Sequence, residues 1–208
     1  KNKVLLFGGM GGCTSTRDTK LLNDTWIYDS TNTVQQKWTK VQSHTHNSSV
    51  LGRQYHAVAQ LNEGLVVMFG GVTAAVARTN SFQLAKGTDL FTETSNQWTK
   101  IDVGATLGPQ PRVNHAMAQL NDGTVLLFGG ADALPFSDSK GNGTRNYLQD
   151  IWILRKSNDP GIDNPSYTWK ENFSFSSIKS SLSRSSTSFN ETKIDILLTN
   201  SLKSIFIS

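Results

Sequence analysis

The chain has 208 residues, with 20 Lys+Arg against 16 Asp+Glu for a formal charge of +4, 37% hydrophobic residues and one Cys. One thiol excludes an internal disulfide framework, and no apolar run reaches the roughly 18 residues of a membrane-spanning helix. A small, scattered positive excess marks neither a nucleic-acid surface nor a polybasic membrane anchor, and it names no partner.

In chain order, Lys3-Val-Leu-Leu-Phe-Gly-Gly9 is a short apolar strand ending in a double glycine, followed by the aromatic strand Asn23-Asp-Thr-Trp26-Ile-Tyr28 and by Trp38-Thr-Lys-Val41. Strands follow over Tyr55 to Leu61 and Leu65 to Phe69, then at Thr88-Asp-Leu-Phe91 and Trp98-Thr-Lys-Ile101. The order recurs at Asn114 to Leu120, Val125 to Phe128, Gln149-Asp-Ile-Trp152-Ile-Leu154 and Trp169-Lys170. The segments are short and rich in Val, Ile, Leu, Phe and Trp, with Gly, Asn and Asp between them, which predicts an all-β chain without helix. Asn62-Glu63-Gly64 and Asn121-Asp122-Gly123 carry Gly where a tight hairpin needs positive φ. The apolar runs are nearly continuous rather than alternating, as for strands covered on both faces by stacked sheets.

Residues 56–71 align without a gap on 115–130 with eleven of sixteen identities, and the double glycines ending at Gly9, Gly71 and Gly130 lie 62 and 59 residues apart. Repeated units of four short antiparallel strands are the mark of propeller blades. The Phe-Gly-Gly ends (Gly8, Gly9, Gly70, Gly71, Gly129, Gly130), the Asp-x-Trp strand, the later Trp and the Arg-x-x-His-Ala openings at Arg53 and Arg112 resemble the kelch repeats of kelch and galactose-oxidase-like β-propellers. The resemblance covers about residues 3 to 172 and implies an incomplete ring of four-stranded antiparallel blades. A partial blade (strands 2–4) spans 1–42, and whole blades span 53–103 and 112–172. About 2.75 blades fall short of a closed ring, so the chain reads as a fragment, and any targeting segment, and with it the compartment, stays open. Residues 173–208 are a Ser-rich, low-complexity tail without blade signatures, read as an end lacking fixed structure, with a strand docked on the first blade as the alternative.

His56 and His115 occupy the same place in successive units. Repeat-equivalent side chains point in symmetry-related directions and do not converge, so they are assigned to architecture rather than to a metal, each Arg three residues earlier contacting a carbonyl or carboxylate of the next blade. Trp26, Trp38, Trp98, Trp152 and Trp169 are read as packing between blades. The pair His44-x-His46 has no third ligand close in sequence, and Cys13 lies in a glycine-rich loop. Galactose-oxidase-like propellers hold copper with a Cys–Tyr thioether, a second Tyr and two His. No such set can be matched here residue by residue, so no cofactor, metal or catalytic residue is assigned. The Trp-bearing turns lack the Asp and Gly of sialidase Asp-boxes, and no Gly-Lys-Ser/Thr follows the double glycines. Five N-x-S/T sequons are present, of which Asn142 is the best placed for glycosylation of a secreted chain.

Strand direction puts the 1–2 and 3–4 turns on one rim and the longer 2–3 and 4–1 connections on the other. The long-loop rim carries Arg17, Asp18, Lys20, His46, Arg78, Asn80, Asp132, Asp138, Lys140 and Arg145, which offer charge of both signs and hydrogen bonds for recognition. The sequence therefore reads as a non-catalytic binding module whose partner is a protein. The alternative is a carbohydrate-binding or galactose-oxidase-like protein with its site in other blades.

Overall fold

A computed structural model describes residues 3–11, 20–32, 37–42, 50–61, 64–73, 83–101, 108–133, 146–156 and 167–174. Every regular element among them is a β-strand. Blade 1 is a three-stranded sheet of β1 (Lys3–Phe7), β4 (Thr25–Asp29) and β5 (Trp38–Lys40). Blade 2 pairs β6 (Arg53–Gln60), β7 (Leu65–Thr73), β9 (Thr88–Thr92) and β10 (Gln97–Ile101). Blade 3 is β11 (Ala116–Gln119), β12 (Val125–Phe128), β13 (Asp150–Lys156) and β14 (Tyr167–Ser174). All pairings within the blades are antiparallel. The architecture is an incomplete β-propeller of kelch-type blades. Of the tail, only Ser174 and its neighbour Phe173 fall among the described residues, at the end of β14.

The hairpin glycines do what their position requires. Gly64 and Gly123 sit at φ 74° and 77°, and Gly123 N donates to the Leu120 carbonyl at 2.9 Å to close the turn.

Strand register revises the motif alignment. Phe7 faces Thr25, Phe69 faces Thr88 and Phe128 faces Ile151, so these three are the true equivalents. Asp89 then occupies the place of Trp26 and Trp152, two residues beyond the place of Asp24 and Asp150, where blade 2 has Gly87. Two residues along a strand keep a side chain on the same face, so the carboxylate still reaches the same neighbourhood.

Near-identical apolar strands end up in different surroundings. Strand β7 has buried residues without interruption from Val67 to Thr73, whereas Val4 and Leu6 of β1 and Phe128 of β12 are exposed. Coverage on both faces therefore holds for the middle blade, which has a sheet on each side, and not for the outer faces of blades 1 and 3 among the described residues. The principal core lies between blades 2 and 3, with Val67, Phe69, Leu127, Leu154 and Trp169 at its centre. Each such side chain contributes about 1.5–3 kcal/mol by burial.

The first glycine of each pair marks how tightly the next blade approaches. Gly8 and Gly70 have φ 67° and 66°, and a Cβ on Gly70 would strike the Arg112 carbonyl and lie 2.7 Å from His115 Cε1. At Gly129, φ 69°, the nearest atom to such a Cβ is the Leu148 carbonyl oxygen at an ordinary 3.5 Å. Gly129→Ala is expected to cost only the left-handed conformation, about 1–2 kcal/mol. Gly70→Ala should cost clearly more, because backbone has to move as well. Equilibrium urea unfolding of the two variants checks this, and equal losses would show that the seam has slack.

Candidate functional site

The site is assembled from three repeated devices, beginning with the buried Arg. Arg112 is fully buried, and its guanidinium makes two bonds to Asp150, Nη1 to Oδ1 at 2.6 Å and Nη2 to Oδ2 at 2.7 Å, while Nη1 also donates to the Gly129 carbonyl at 3.0 Å and Nε to Gln110 O at 3.0 Å. Arg53 repeats the arrangement with Asp89 at 2.9 Å, the Gly70 carbonyl at 3.4 Å and Leu51 O at 3.3 Å. Both guanidinium groups thus clamp their own blade, tying strand 1 to strand 3 behind the double glycine. This corrects the expectation of a side-chain contact to the next blade. What reaches across the seam is the Arg backbone, whose carbonyl accepts from the preceding blade, Gly9 N to Arg53 O at 2.8 Å and Gly71 N to Arg112 O at 2.9 Å.

Burial dominates the charges here. It pushes the Asp89 carboxyl up and the Arg53 guanidinium down, each partly countered by the other's opposite charge. At Asp150 burial also acts upward, but the hydrogen bonds from Arg112 and Trp152 outweigh it, leaving the carboxyl below its usual range.

The His rings face the preceding blade. His56 packs edge-on against Phe7 at 5.7 Å and His115 against Phe69 at 5.8 Å. Burial, then the charge of the neighbouring Arg, lowers both to a pKa of about 4, against a slight upward pull from the Phe7 and Phe69 backbone. Neither nitrogen of His115, nor Nδ1 of His56, has a hydrogen-bond partner among the described residues.

The Trp residues divide into three roles. Trp98 Nε1 donates to Thr25 Oγ1 and Trp169 Nε1 to Thr88 Oγ1, both at 2.9 Å across a seam. Trp26 and Trp152 instead donate within their own blades, to Asp24 at 2.8 Å and Asp150 at 2.6 Å. Trp38 is exposed and lies against Tyr28 at 5.2 Å.

The long-loop rim is built by the second glycine of each pair. Its carbonyl accepts from the residue that re-enters the blade, Leu22 N to Gly9 O at 2.9 Å, Ala85 N to Gly71 O at 2.8 Å and Leu148 N to Gly130 O at 2.9 Å. Short paired stems continue outward from each pinch. They are β2 (Met10–Gly11) with β3 (Lys20–Leu21), the end of β7 with β8 (Gln83–Leu84), and the bridge of Ala131 to Tyr147. Each 2–3 connection therefore leaves the blade as a pinched hairpin rather than an open loop.

Of the charged residues assigned to this rim, Lys20 lies exposed in β3, and Asp132 accepts from Asn146 N at 3.0 Å and Nδ2 at 2.8 Å. Those bonds hold the Asp132 carboxyl below its usual range. Arg17, Asp18, His46, Arg78, Asn80, Asp138, Lys140 and Arg145 lie outside the described residues, as do His44 and Cys13. Among the described residues, no three or more His, Cys, Asp or Glu are grouped to hold a metal, and no helix is long and apolar enough to cross a membrane.

Sequence reasoning missed the apolar part of the rim. Among the described residues, the large exposed hydrophobic ones fall into two sets, one on the uncovered blade faces (Val4, Leu6, Trp38, Phe128) and one at the long-loop rim (Met10, Leu51, Tyr55, Tyr147), with Tyr147 at 72% exposure. Tyr55 and Asn114, two residues after each Arg, share a positive φ of 60° and 55°, and Asn114 N donates to Tyr55 O at 3.2 Å. Positive φ is rare for a residue as bulky as Tyr.

These devices define the arc of a kelch-type β-propeller. No protein-family model matches the chain. It is 30% identical over 129 residues to Adagio-like protein 3 of Oryza sativa subsp. japonica and 28% identical over 129 residues to Adagio protein 3 of Arabidopsis thaliana. Each match covers 59% of this chain, which spans only 19% of the length of either relative. The solved structure of YjhT superposes with a TM-score of 0.54 at 18% identity, over 85% of this chain and 50% of that one, a likeness of fold.

Two outcomes follow from the buried groups. Asp150→Ala leaves the Arg112 guanidinium buried without its partner and is expected to cost about 3–5 kcal/mol. Lys3→Ala, at an exposed ion pair screened by solvent, should cost far less, and thermal or urea melts of the two compare them.

The His pair sets a pH dependence. Both imidazoles stay neutral in the folded chain down to about 4, while in the unfolded chain they take protons from about 6.5, so stability falls as pH drops between those values. The raised Asp89 carboxyl acts in the opposite sense at the acid end. His115→Gln should remove roughly half of the histidine-driven loss between about pH 6.5 and 4, read from urea midpoints across that range.

Proposed function

We propose that the chain is part of a non-catalytic binding module that holds another protein at the long-loop rim. The reading takes residues 1–42, 53–103 and 112–172 as its blades. The observation that supports it best is the partition of exposed apolar residues among the described ones. Away from the uncovered blade faces, Met10, Leu51, Tyr55 and Tyr147 all stand on the rim that also carries Lys20 and Asp132. Tyr and Met are enriched in the cores of protein interfaces, surrounded by a polar edge. Pinched stems hold Met10 and Tyr147 to the blades, and Tyr55 lies within β6, so less ordering entropy is lost on binding than for open loops. Complementarity of shape and charge is then the whole mechanism.

Site-specific photo-crosslinking tests this reading. A benzophenone side chain at position 51 or 147 is expected to capture a discrete protein partner. The same group at position 95 or 122, in turns on the opposite rim, should capture none. Equal capture from both rims would remove the assignment. Specific retention on a glycan array would favour a carbohydrate ligand instead, and copper-dependent hydrogen peroxide production an oxidase.

A further inference from the structure

The two seams between blades are built alike but filled differently. Between blades 2 and 3, Tyr167 stands two residues before Trp169 on the same strand face and is buried in the core with Leu61 and Leu65. Trp98 is the register equivalent of Trp169, since Trp98 faces Phe91 and Trp169 faces Leu154. Two residues before Trp98 is Asn96, at φ 54° in the turn that precedes β10, so no ring enters the first seam there. Leu65 in turn has Lys3 as its equivalent, and Lys3 reaches across to Glu93 at 3.0 Å.

A cavity of about 410 Å³ occupies this first seam, opening on the rim of the 1–2 and 3–4 turns, opposite the long loops. Leu5, Ile27, Val58 and Phe91 form its apolar wall, and Lys3 and Glu93 stand at its mouth. Its volume lies within the usual range for small-molecule sites, which are mostly apolar with a few polar groups to fix orientation. The ion pair at the mouth is half exposed and so contributes little to holding the seam shut.

We propose that this cavity is a binding site for a small neutral aromatic molecule of one or two rings carrying a hydroxyl. The ring takes the place that Tyr167 fills at the next seam, and the hydroxyl lies toward Lys3 and Glu93. The site is independent of the long-loop rim.

Titration of the full chain with p-cresol, the side chain of Tyr as a free molecule, and with 2-naphthol, followed by calorimetry or ligand-observed NMR, provides the test. One site is expected. Val58→Phe, which fills the cavity, should weaken binding at least about tenfold, and Ile27→Phe serves as a second filling variant should the first fail to fold. Tyr167→Ala empties the matching place in the other seam and should raise the stoichiometry from one to two. Cyclohexanol, of similar polarity without the flat ring, should bind more weakly than p-cresol. Absence of binding to the unaltered chain, or equal binding to both filling variants, would overturn the proposal. Cross-linking at the opposite rim is unaffected by either result.

Discussion

Close backbone approach at the double glycine is the constraint from which the rest of the arc follows. Gly9 and Gly71 each donate their N–H to the Arg carbonyl of the following blade and offer their own carbonyl to the returning end of their own loop. One residue therefore sets both the spacing between sheets and the base of a rim hairpin. A side chain on the preceding glycine would separate the sheets, and the Phe–His and Trp–Thr contacts across the seam would be lost together.

The Arg–Asp clamp serves that constraint from inside blades 2 and 3. A guanidinium held by a carboxylate and by a glycine carbonyl fixes the orientation of the Arg peptide, whose carbonyl makes the seam. A charge buried this completely adds little stability over well-packed hydrocarbon, and its value lies in direction. Burial acts on His in a related way. The ring beside each clamp stays uncharged because it is desolvated and sits next to a cation.

The fold was legible because blade signatures are local: apolar strand, double glycine, aromatic strand and Trp follow one another within about sixty residues, three times. Pairings that span the blade were not. Asp89 lies beside Thr88 in a string that resembles Asp24-Thr25 read in reverse, so the motif aligns one way and the register another. Only the strand pairing shows which carboxylate the Arg meets. The seam partners Thr25 and Thr88 were hidden for the same reason, being 73 and 81 residues from their Trp. Of the rim, the polar residues drew attention by their charge, but Leu51 and Tyr147 looked like unremarkable loop members until their exposure was known. The cavity depends on Asn96 standing where the next unit has Tyr167, a difference that carries no meaning before the two hairpins are superposed.

The uneven burial of the three equivalent strands bears on how the arc comes apart. Phe69 is 2% exposed and Phe128 37%, although both end the same apolar strand before a double glycine. Cohesion in a linear array accumulates at nearest-neighbour junctions, and blade 2 alone among the described sheets has one on either side. Unravelling therefore starts at the two flanks and moves inward, and the central sheet is the last to let go.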